Sequence, residues 1–401
     1  MPGVRALYLH VPFCVRRCRY CDFATAATRH DDTRMGEYAS ALCRLVGQAR
    51  GLGLLGDLAT GYVGGGTPTM LGAERLSALI GACGSLEELT FEANPESLGD
   101  DVLASAREAG ATRVSIGVQS FDDRELAGLG RVHDAAMARE RVAAAVGSGL
   151  DVSVDLMCGI PYQTSESWRR SLETAVGLGV GHVSCYPLMI EPGTPMERMC
   201  EEGSLPWPSD DTEASDMEAA LDVLDSAGLS RYEVASYARP GKRCAHNIAY
   251  WTGVEYLGLG TAASSMLGPS SYAVLREAVP SLPALDEGVA RVRLTVATDT
   301  TGVIGARSLG DLRFDVERLG EREAVAEDLM LAARMTDGLP ASLVARARAV
   351  LGRSRVEACL SRLVSCRLLE RGSNGAFVPT HDGWLLGNEL YGALWDLSSD
   401  E

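Results

Sequence analysis

Apolar residues recur along the first half of the chain with two alternating periods. Six short runs typical of buried β-strands lie at residues 6–10, 61–64, 89–93, 113–117, 151–156 and 182–186. Apolar positions at helical spacing recur between and after these runs, at residues 35–51, 74–82, 101–109, 135–146, 168–178 and 212–227. Gly149 and Gly179 follow two of the helical stretches, where a left-handed C-terminal cap favours glycine. Six consecutive strand–helix units predict a parallel sheet, either doubly wound or curled into a partial barrel.

The positions of the polar residues distinguish these two sheets. Residue types able to do chemistry stand at or just past the end of each predicted strand: three cysteines after the first, Gly64 to Thr67 after the second, Glu92 on the third, Gln119 after the fourth, Asp155 on the fifth and Tyr186 on the sixth. A barrel gathers its strand ends around one mouth, whereas a doubly wound sheet gathers only those at its crevice. We therefore predict an α/β fold with a partial (β/α)6 TIM-like barrel whose site lies at that mouth.

The alternation of strands and helices stops after about residue 230. Residues 239–247 are rich in turn-forming residues, and a helical pattern returns from about residue 322. Apolar spacing at 344–369, followed by a Gly-Ser-Asn-Gly turn, predicts helices and then a small β hairpin, the order of a winged helix. We predict three parts: the barrel at 1–235, a connecting region at 236–321, and a C-terminal, mostly helical, winged-helix-like domain at 322–401.

The composition excludes several classes of function. Of the 401 residues, 46% are hydrophobic, enough for the cores of two or three packed units. A net charge of −17 without a long basic run argues against nucleic acid as a partner. The chain contains no apolar run of roughly 18 to 20 residues and starts without a signal-peptide pattern. We expect a cytoplasmic protein without a transmembrane segment, and peripheral contact with a membrane stays open.

The cysteines near the start of the chain have the spacing of a metal centre. Cys14, Cys18 and Cys21 are three of 11 cysteines, and the others form no repeating frame, so we expect free thiols in a reducing compartment. A structural zinc site takes four protein ligands, whereas three cysteines on a [4Fe-4S] cluster leave one iron free for a small molecule. His10 and Asp22 are the nearby alternatives for a fourth ligand, and a carboxylate suits a thiolate site poorly. The spacing favours the cluster, with zinc or a purely structural role as the alternative.

The segment from Tyr8 to Cys21, with Tyr20 directly before the third cysteine, resembles the radical S-adenosylmethionine (SAM) superfamily. The resemblance implies a [4Fe-4S] cluster on the three cysteines and SAM bound at the fourth iron. In that superfamily, an electron from the reduced cluster breaks a carbon–sulfur bond of SAM and gives a 5′-deoxyadenosyl radical. The implied electron donor is a reductant such as flavodoxin or ferredoxin.

Five further blocks resemble the oxygen-independent coproporphyrinogen III oxidase branch of that superfamily: residues 64–69, 91–95, 115–121, Arg131 and residues 155–164. The resemblance implies two SAM-binding sets. By matching position, these are Tyr8, Gly65 and Glu92 for one site, and Tyr20, Gly66, Thr67, Gln119, Arg131 and Asp155 for a second. Glycines let backbone approach a ligand, a carboxylate accepts from amino or ribose groups, and arginine pairs with a carboxylate. Taken singly, Glu92 or Asp155 could instead be a buried acid with a structural role.

Within that branch the chain is most similar to the heme chaperones. Phe23 stands where the oxidase has a fourth cysteine, the chain begins thirteen residues before Cys14, and His246 to Trp251 match an HNxxYW block. The similarity implies that the chain binds heme and passes it to an acceptor protein. His246, with Cys244 nearby, is a candidate heme contact, since histidine, cysteine, methionine and tyrosine can bind heme iron. The alternative is that His246 braces a turn.

The chain also departs from its relatives in this region. A histidine that they carry after the Tyr-Trp pair is absent from residues 258–264, and Ala235-Ser236 replaces a Ser-Asn pair. The alternative functions are coproporphyrinogen III dehydrogenase, a related radical SAM methyltransferase, and a barrel with a structural metal and no turnover. The sequence leaves open whether any substrate is turned over, which acceptor receives heme, and whether one or two SAM molecules bind.

Overall fold

The six predicted barrel strands are all present in the computed structural model, which describes residues 3–29 and 31–399. They are β1 (Ala6–Val11), β2 (Thr60–Gly65), β3 (Glu88–Ala93), β4 (Arg113–Gln119), β5 (Asp151–Cys158) and β6 (His182–Pro187). Most residues of these strands are buried, because helices cover one face and the barrel interior takes the other. The apolar runs therefore located each strand to within two residues at either end.

Helices follow or separate these strands. They are α1 (Arg34–Gly51), α2 (Gly72–Cys83), α3 (Asp100–Glu108), α4 (Asp123–Leu129), α5 (Ala135–Gly147), α6 (Ser165–Gly177), α7 (Pro195–Glu201) and α8 (Asp210–Ser226). Side-chain caps begin several of them: Asp134 accepts from the Met137 N–H, and Thr164 forms a capping box with Ser167. Gly149 and Gly179 have φ values of 85° and 80°, which confirms the left-handed backbone predicted after α5 and α6.

Residues 230–320 extend the same sheet. They form β7 (Ser230–Arg231), β8 (Ser236–Ala238), β9 (Tyr256–Leu259), β10 (Ser264–Leu267), β11 (Val289–Val296) and β12 (Phe314–Gly320), with helices α9 (Ala245–Trp251), α10 (Pro269–Ala278) and α11 (Thr300–Gly305). The sheet order is β12-β11-β10-β9-β1-β2-β3-β4-β5-β6-β8-β7. Strand β9 is a seventh parallel strand, with Gly258 opposite Tyr8 of β1. The boundaries at 235 and 321 stay predictions, and residues 1, 2, 400 and 401 lie outside the described residues.

The C-terminal region has a core of its own and docks on the barrel. It contains α12 (Glu321–Ala332), α13 (Ala341–Ala347), α14 (Arg353–Ser365), the hairpin β13 (Leu369–Arg371) and β14 (Phe377–Pro379), α15 (His381–Leu385) and α16 (Gly387–Trp395). This order confirms the predicted helices followed by a hairpin. The Trp384 indole N–H donates to the Val234 carbonyl at 2.9 Å, and the Arg231 guanidinium lies 4.3 Å from the centre of the same indole. Within the described residues, no helix has the length and apolar character needed to cross a membrane.

Candidate functional site

A cavity of about 370 Å³ opens at the carboxyl ends of the barrel strands, and we call it the thiol cavity. All three motif cysteines lie in its wall, as do most of the predicted site residues: Tyr20, Gly65, Gly66, Glu92, Gln119, Arg131 and Asp155. Thr67 contacts one of the cysteines from behind, through its hydroxyl. The structure therefore brings together residues that are spread over nearly the whole length of the barrel sequence, as the strand-end pattern predicted.

The cysteine loop, residues 14–21, is held by the ends of strands β1 and β2. Cys14 lies in a two-residue strand, Phe13–Cys14, which pairs with Ala26–Ala27. The Thr67 hydroxyl donates to Cys14 Sγ at 3.5 Å, and Arg131 Nη1 donates to Cys18 Sγ at 3.4 Å. Burial raises the pKa of the Cys14 and Cys21 thiols, and at Cys14 the hydrogen bond from Thr67 opposes part of that rise.

The alternative fourth ligand His10 is occupied within the protein. Its Nδ1 lies 3.0 Å from the Tyr8 hydroxyl and its Nε2 lies 3.0 Å from the Ala24 carbonyl oxygen. Among the described residues, no three His, Cys, Asp or Glu side chains are arranged to hold a single metal ion. The three cysteines of the loop are half-buried free thiols that line the thiol cavity.

The glycine run after β2 is explained by close packing within the protein. A Cβ atom on Gly66 would lie 2.9 Å from the Phe13 nitrogen and the Val11 oxygen, and one on Gly64 would lie 2.9 Å from the Glu92 carboxyl carbon. Gly65 has a φ of 113°, a conformation that glycine adopts readily. The resemblance suggested glycine for approach of a ligand, and the atoms nearest to a Cβ on Gly64, Gly65 and Gly66 belong to Tyr62, His10 and Phe13.

Glu92 is a partly buried acid that lines both cavities of this region. Its carboxylate accepts hydrogen bonds from the Tyr62 hydroxyl and from the Gly65 N–H, each at 2.9 Å. Burial raises the pKa of Glu92 to about 7, and the two donors oppose part of that rise. The carboxyl group therefore changes its charge near neutral pH.

Asp155 and Gln119 stand on the neighbouring strands β5 and β4. Asp155 accepts from the Ser115 hydroxyl at 3.1 Å, and burial raises the pKa of Asp155 to about 6. Gln119 follows a β-bulge after Gly117 and has a φ of 66°, which turns the end of β4 toward the cavity wall. Both side chains thus reach the cavity to which Glu92 also belongs.

Arg131 is a partly buried cation that links three parts of the wall. Its Nη2 donates to Asn94 Oδ1 at 2.6 Å and to the Gly117 carbonyl, while its Nη1 reaches Cys18. Burial acts to lower the pKa of Arg131, but nearby Tyr20 and Cys18 raise it overall. The guanidinium is therefore positively charged at the edge of the cysteine loop.

Four buried polar atoms on residues of the wall lack a hydrogen-bond partner among the described residues. They are the hydroxyls of Thr25 and Thr90, Nη1 of Arg113 and Nε of Arg131. Unpaired buried donors are costly unless water or a ligand satisfies them. The thiol cavity therefore fits a polar ligand with acceptor groups.

A second cavity, of about 490 Å³, lies directly beside the first, and we call it the aromatic cavity. Tyr8, which the resemblance assigns to one SAM site, lines this cavity, and Phe23, Gly65 and Glu92 line both. The sequence did not predict its other wall residues: Tyr256, Met266, Arg293, Glu327 and Leu331. They belong to strands and a helix that carry no recognisable motif, so no local sequence signal could have located them.

His246 lies at the start of α9, outside the walls of both cavities. Its Nδ1 is 2.9 Å from the Thr60 hydroxyl, its Nε2 is 3.1 Å from the Tyr250 hydroxyl, and its ring stacks on Tyr62. Burial lowers the pKa of His246 to about 3, so the ring is neutral. A bond from this ring to heme iron would require the loss of one of these partners, and heme contact through His246 stays a prediction.

Comparison with known proteins places this geometry in context. The radical SAM superfamily matches residues 8–175 of the chain. The heme chaperone HemW of Mycobacterium tuberculosis (strain ATCC 25618 / H37Rv) is 35% identical over 370 residues, which cover 90% of this chain and 88% of that protein. HemW of Bacillus subtilis (strain 168) is 30% identical over 404 residues, covering 98% and 99%.

Among solved structures, the coproporphyrinogen III oxidase HemN from Escherichia coli, a radical SAM enzyme, superposes with a TM-score of 0.77. The superposition covers 100% of this chain and 91% of that chain at 20% sequence identity. At this identity the similarity establishes the fold alone.

Proposed function

This chain belongs to the HemW family of heme chaperones within the radical SAM superfamily, and we propose that it binds a [4Fe-4S] cluster, SAM and heme, and passes heme to an acceptor protein. The observation that carries the proposal is the position of the two cavities. Three thiols and two partly buried acids, Glu92 and Asp155, face the thiol cavity, and the aromatic cavity shares a wall with it.

In this proposal Cys14, Cys18 and Cys21 hold the cluster. The Thr67 hydroxyl donates to Cys14 and the Arg131 guanidinium donates to Cys18, so both donors would hold these sulfur atoms in place for the cluster. When bound and reduced, the cluster supplies the electron that cleaves SAM. A small electron-carrier protein such as flavodoxin or ferredoxin is the proposed donor of that electron.

SAM occupies the thiol cavity in this proposal. Glu92, when ionised, would accept from the amino or ribose groups of one SAM, and Asp155 would accept from those of a second. The two terminal nitrogens of Arg131 donate to an amide oxygen, a carbonyl oxygen and a thiol sulfur, and its Nε has no partner among the described residues, so an anionic ligand or a thiolate would compensate its charge. The assignment of Tyr8, Gly65 and Glu92 to one SAM molecule, and of Tyr20, Gly66, Thr67, Gln119, Arg131 and Asp155 to a second, stays part of the proposal.

Phe23 supports the chaperone over the oxidase. It stands where the oxidase has a cysteine, its side chain is 64% exposed, and it lines both cavities. An apolar ring at the junction favours contact with a flat hydrophobic ligand and adds no metal ligand.

Heme retention tests the proposal. The anaerobically reconstituted protein is incubated with heme and passed through a sizing column, and iron, sulfide and heme are then quantified. We expect about four cluster irons and about one heme per chain. A protein that keeps the cluster but loses all heme would contradict the chaperone function and leave the cluster assignment intact.

A further inference from the structure

The aromatic cavity has a floor built from three neighbouring strands. Tyr256 of β9 pairs with Met266 of β10, and Met266 pairs with Arg293 of β11. All three residues line the cavity. Residues that pair across neighbouring strands have their side chains on the same face of a sheet. The floor therefore carries an aromatic ring, a thioether and a cation side by side.

Two helices complete the walls. Helix α9 contributes Tyr250 and Trp251, and α12 of the C-terminal region contributes Leu331. The rings of Tyr250 and Tyr256 meet edge to face at 4.6 Å. A cavity of about 490 Å³ with these walls lies within the range of cofactor sites. Its surfaces suit a large planar aromatic ligand.

Arg293 supplies the charge that such a ligand needs at its edge. Its Nη1 donates to Glu317 at 2.8 Å, and its Nη2 pairs with Glu327. Glu327 is buried and also pairs with Arg291, whereas the Glu317 side chain is 59% exposed. An incoming carboxylate can therefore replace Glu317 on Arg293 while Glu327 keeps its second cation.

We propose that the aromatic cavity is the tetrapyrrole site, in which Tyr250, Trp251 and Met266 contact the macrocycle and Arg293 pairs with a propionate. The inference rests on the proposed heme function and adds its location and the basis for recognising the carboxylate. The HNxxYW block then contributes through Tyr250 and Trp251, and His246 holds Tyr250 in place through its 3.1 Å contact with the hydroxyl. The shared wall at Phe23, Gly65 and Glu92 sets the tetrapyrrole beside the thiol cavity.

A blocking variant tests the location. Ser264 lies on β10 with an exposed side chain at the cavity wall, so Ser264→Trp places an indole in the cavity without entering the core. Ser281→Trp, at an exposed serine that does not line the cavity, is the matched control. Bound heme is extracted and quantified after a sizing column. We expect Ser264→Trp to weaken heme binding by roughly tenfold or more, because a filled pocket excludes the ring.

A charge variant provides the second test and remains decisive if Ser264→Trp does not fold. Arg293→Gln should weaken binding of hemin roughly tenfold, as expected for loss of a charge-assisted hydrogen bond. The same variant and the wild-type protein should bind hemin dimethyl ester with equal affinity, because the ester has no carboxylate.

Each outcome has one meaning. The proposed site would be overturned if Ser264→Trp bound heme as tightly as the wild-type protein, or if Arg293→Gln lost hemin binding and ester binding equally. In either case, heme binding by the wild-type protein would still support the proposed function. Absence of heme binding by the wild-type protein would overturn both.

Discussion

The Tyr62 hydroxyl donates a 2.9 Å hydrogen bond to Glu92 across neighbouring strands, at the wall between the two cavities. The bond favours the charged form of an acid that burial drives toward its neutral form. The balance sets the pKa of Glu92 to about 7, so small changes around this pair alter its charge at neutral pH.

Replacing Tyr62 by Phe removes a donor to the carboxylate. We expect the pKa of Glu92 to rise further, by roughly one unit, and the pH at which SAM binding reaches half its maximum to move upward with it. Equilibrium dialysis of labelled SAM between about pH 6 and pH 9 measures this midpoint. Tyr162→Phe, at a half-exposed tyrosine, is the control. A midpoint that stays fixed in Tyr62→Phe would exclude ionised Glu92 from SAM binding.

Glu92 also makes the stability of the ligand-free protein depend on pH. Folding raises its pKa from the ordinary 4.5 to about 7, so the folded state holds the proton more tightly than the unfolded state. The free energy of unfolding should therefore fall as pH rises through this interval, by up to about 3 kcal/mol from Glu92 alone. Glu92→Gln should remove that part of the fall in urea titrations, whereas the exposed Glu166→Gln should keep it. Parallel pH profiles for wild type and Glu92→Gln would refute the pKa assignment.

Arg131 should be important for stability because its guanidinium satisfies two partly buried acceptors. Arg131→Met leaves Asn94 Oδ1 and the Gly117 carbonyl unpaired, and we expect a loss of roughly 3 kcal/mol in the free energy of unfolding. Arg29→Met, at a side chain that is 87% exposed, should change it by less than about 0.5 kcal/mol. Equal urea midpoints for the two variants would show that the network around Arg131 contributes little.

The cluster should depend on three thiols. Cys14→Ala, Cys18→Ala or Cys21→Ala should abolish the iron-sulfur absorbance near about 400 nm after reconstitution. Cys43→Ala and Cys359→Ala, at half-buried cysteines outside the cavity, should not. A Cys18→Ala protein that assembles a full cluster would remove that residue from the ligand set.

A substitution of His246 distinguishes ligation of heme iron by this residue from a role in holding Tyr250 in place. With both ring nitrogens engaged by Thr60 and Tyr250, we expect His246→Gln to weaken heme binding while leaving the position of the Soret band unchanged. Spectra are compared in a cluster-free background, Cys14→Ala, so that the cluster does not overlap the band. A shifted Soret band in His246→Gln would identify the histidine as an iron ligand and contradict the bracing role.

The barrel was predictable because local patterns determine it. Apolar runs separated by amphipathic stretches located β1 to β6, and the polar residues at the strand ends predicted that Glu92, Asp155 and Gln119 share one mouth. The resemblances to the radical SAM superfamily and its heme chaperones, based on the cysteine spacing and the HNxxYW block, are confirmed by the matches to known proteins.

The aromatic cavity could not be predicted in the same way. Its floor depends on β9 pairing with β1 across about 250 residues of sequence and on the register of Met266 with Arg293. The spacing of apolar residues along one segment does not show which distant strand that segment pairs with. Residues 236–321 therefore suggested a connection, and the burial of His246 against Tyr62 depends on the same tertiary contacts.

Heme binding and porphyrin turnover can be compared on one preparation of the protein, and this comparison tests the central claim most directly. The reconstituted protein is given coproporphyrinogen III, SAM and a reductant under anaerobic conditions, and a parallel sample is given heme and passed through a sizing column. We expect about one heme retained per chain and no protoporphyrinogen IX. Stoichiometric formation of protoporphyrinogen IX, with no heme retained, would contradict the chaperone function and establish the dehydrogenase.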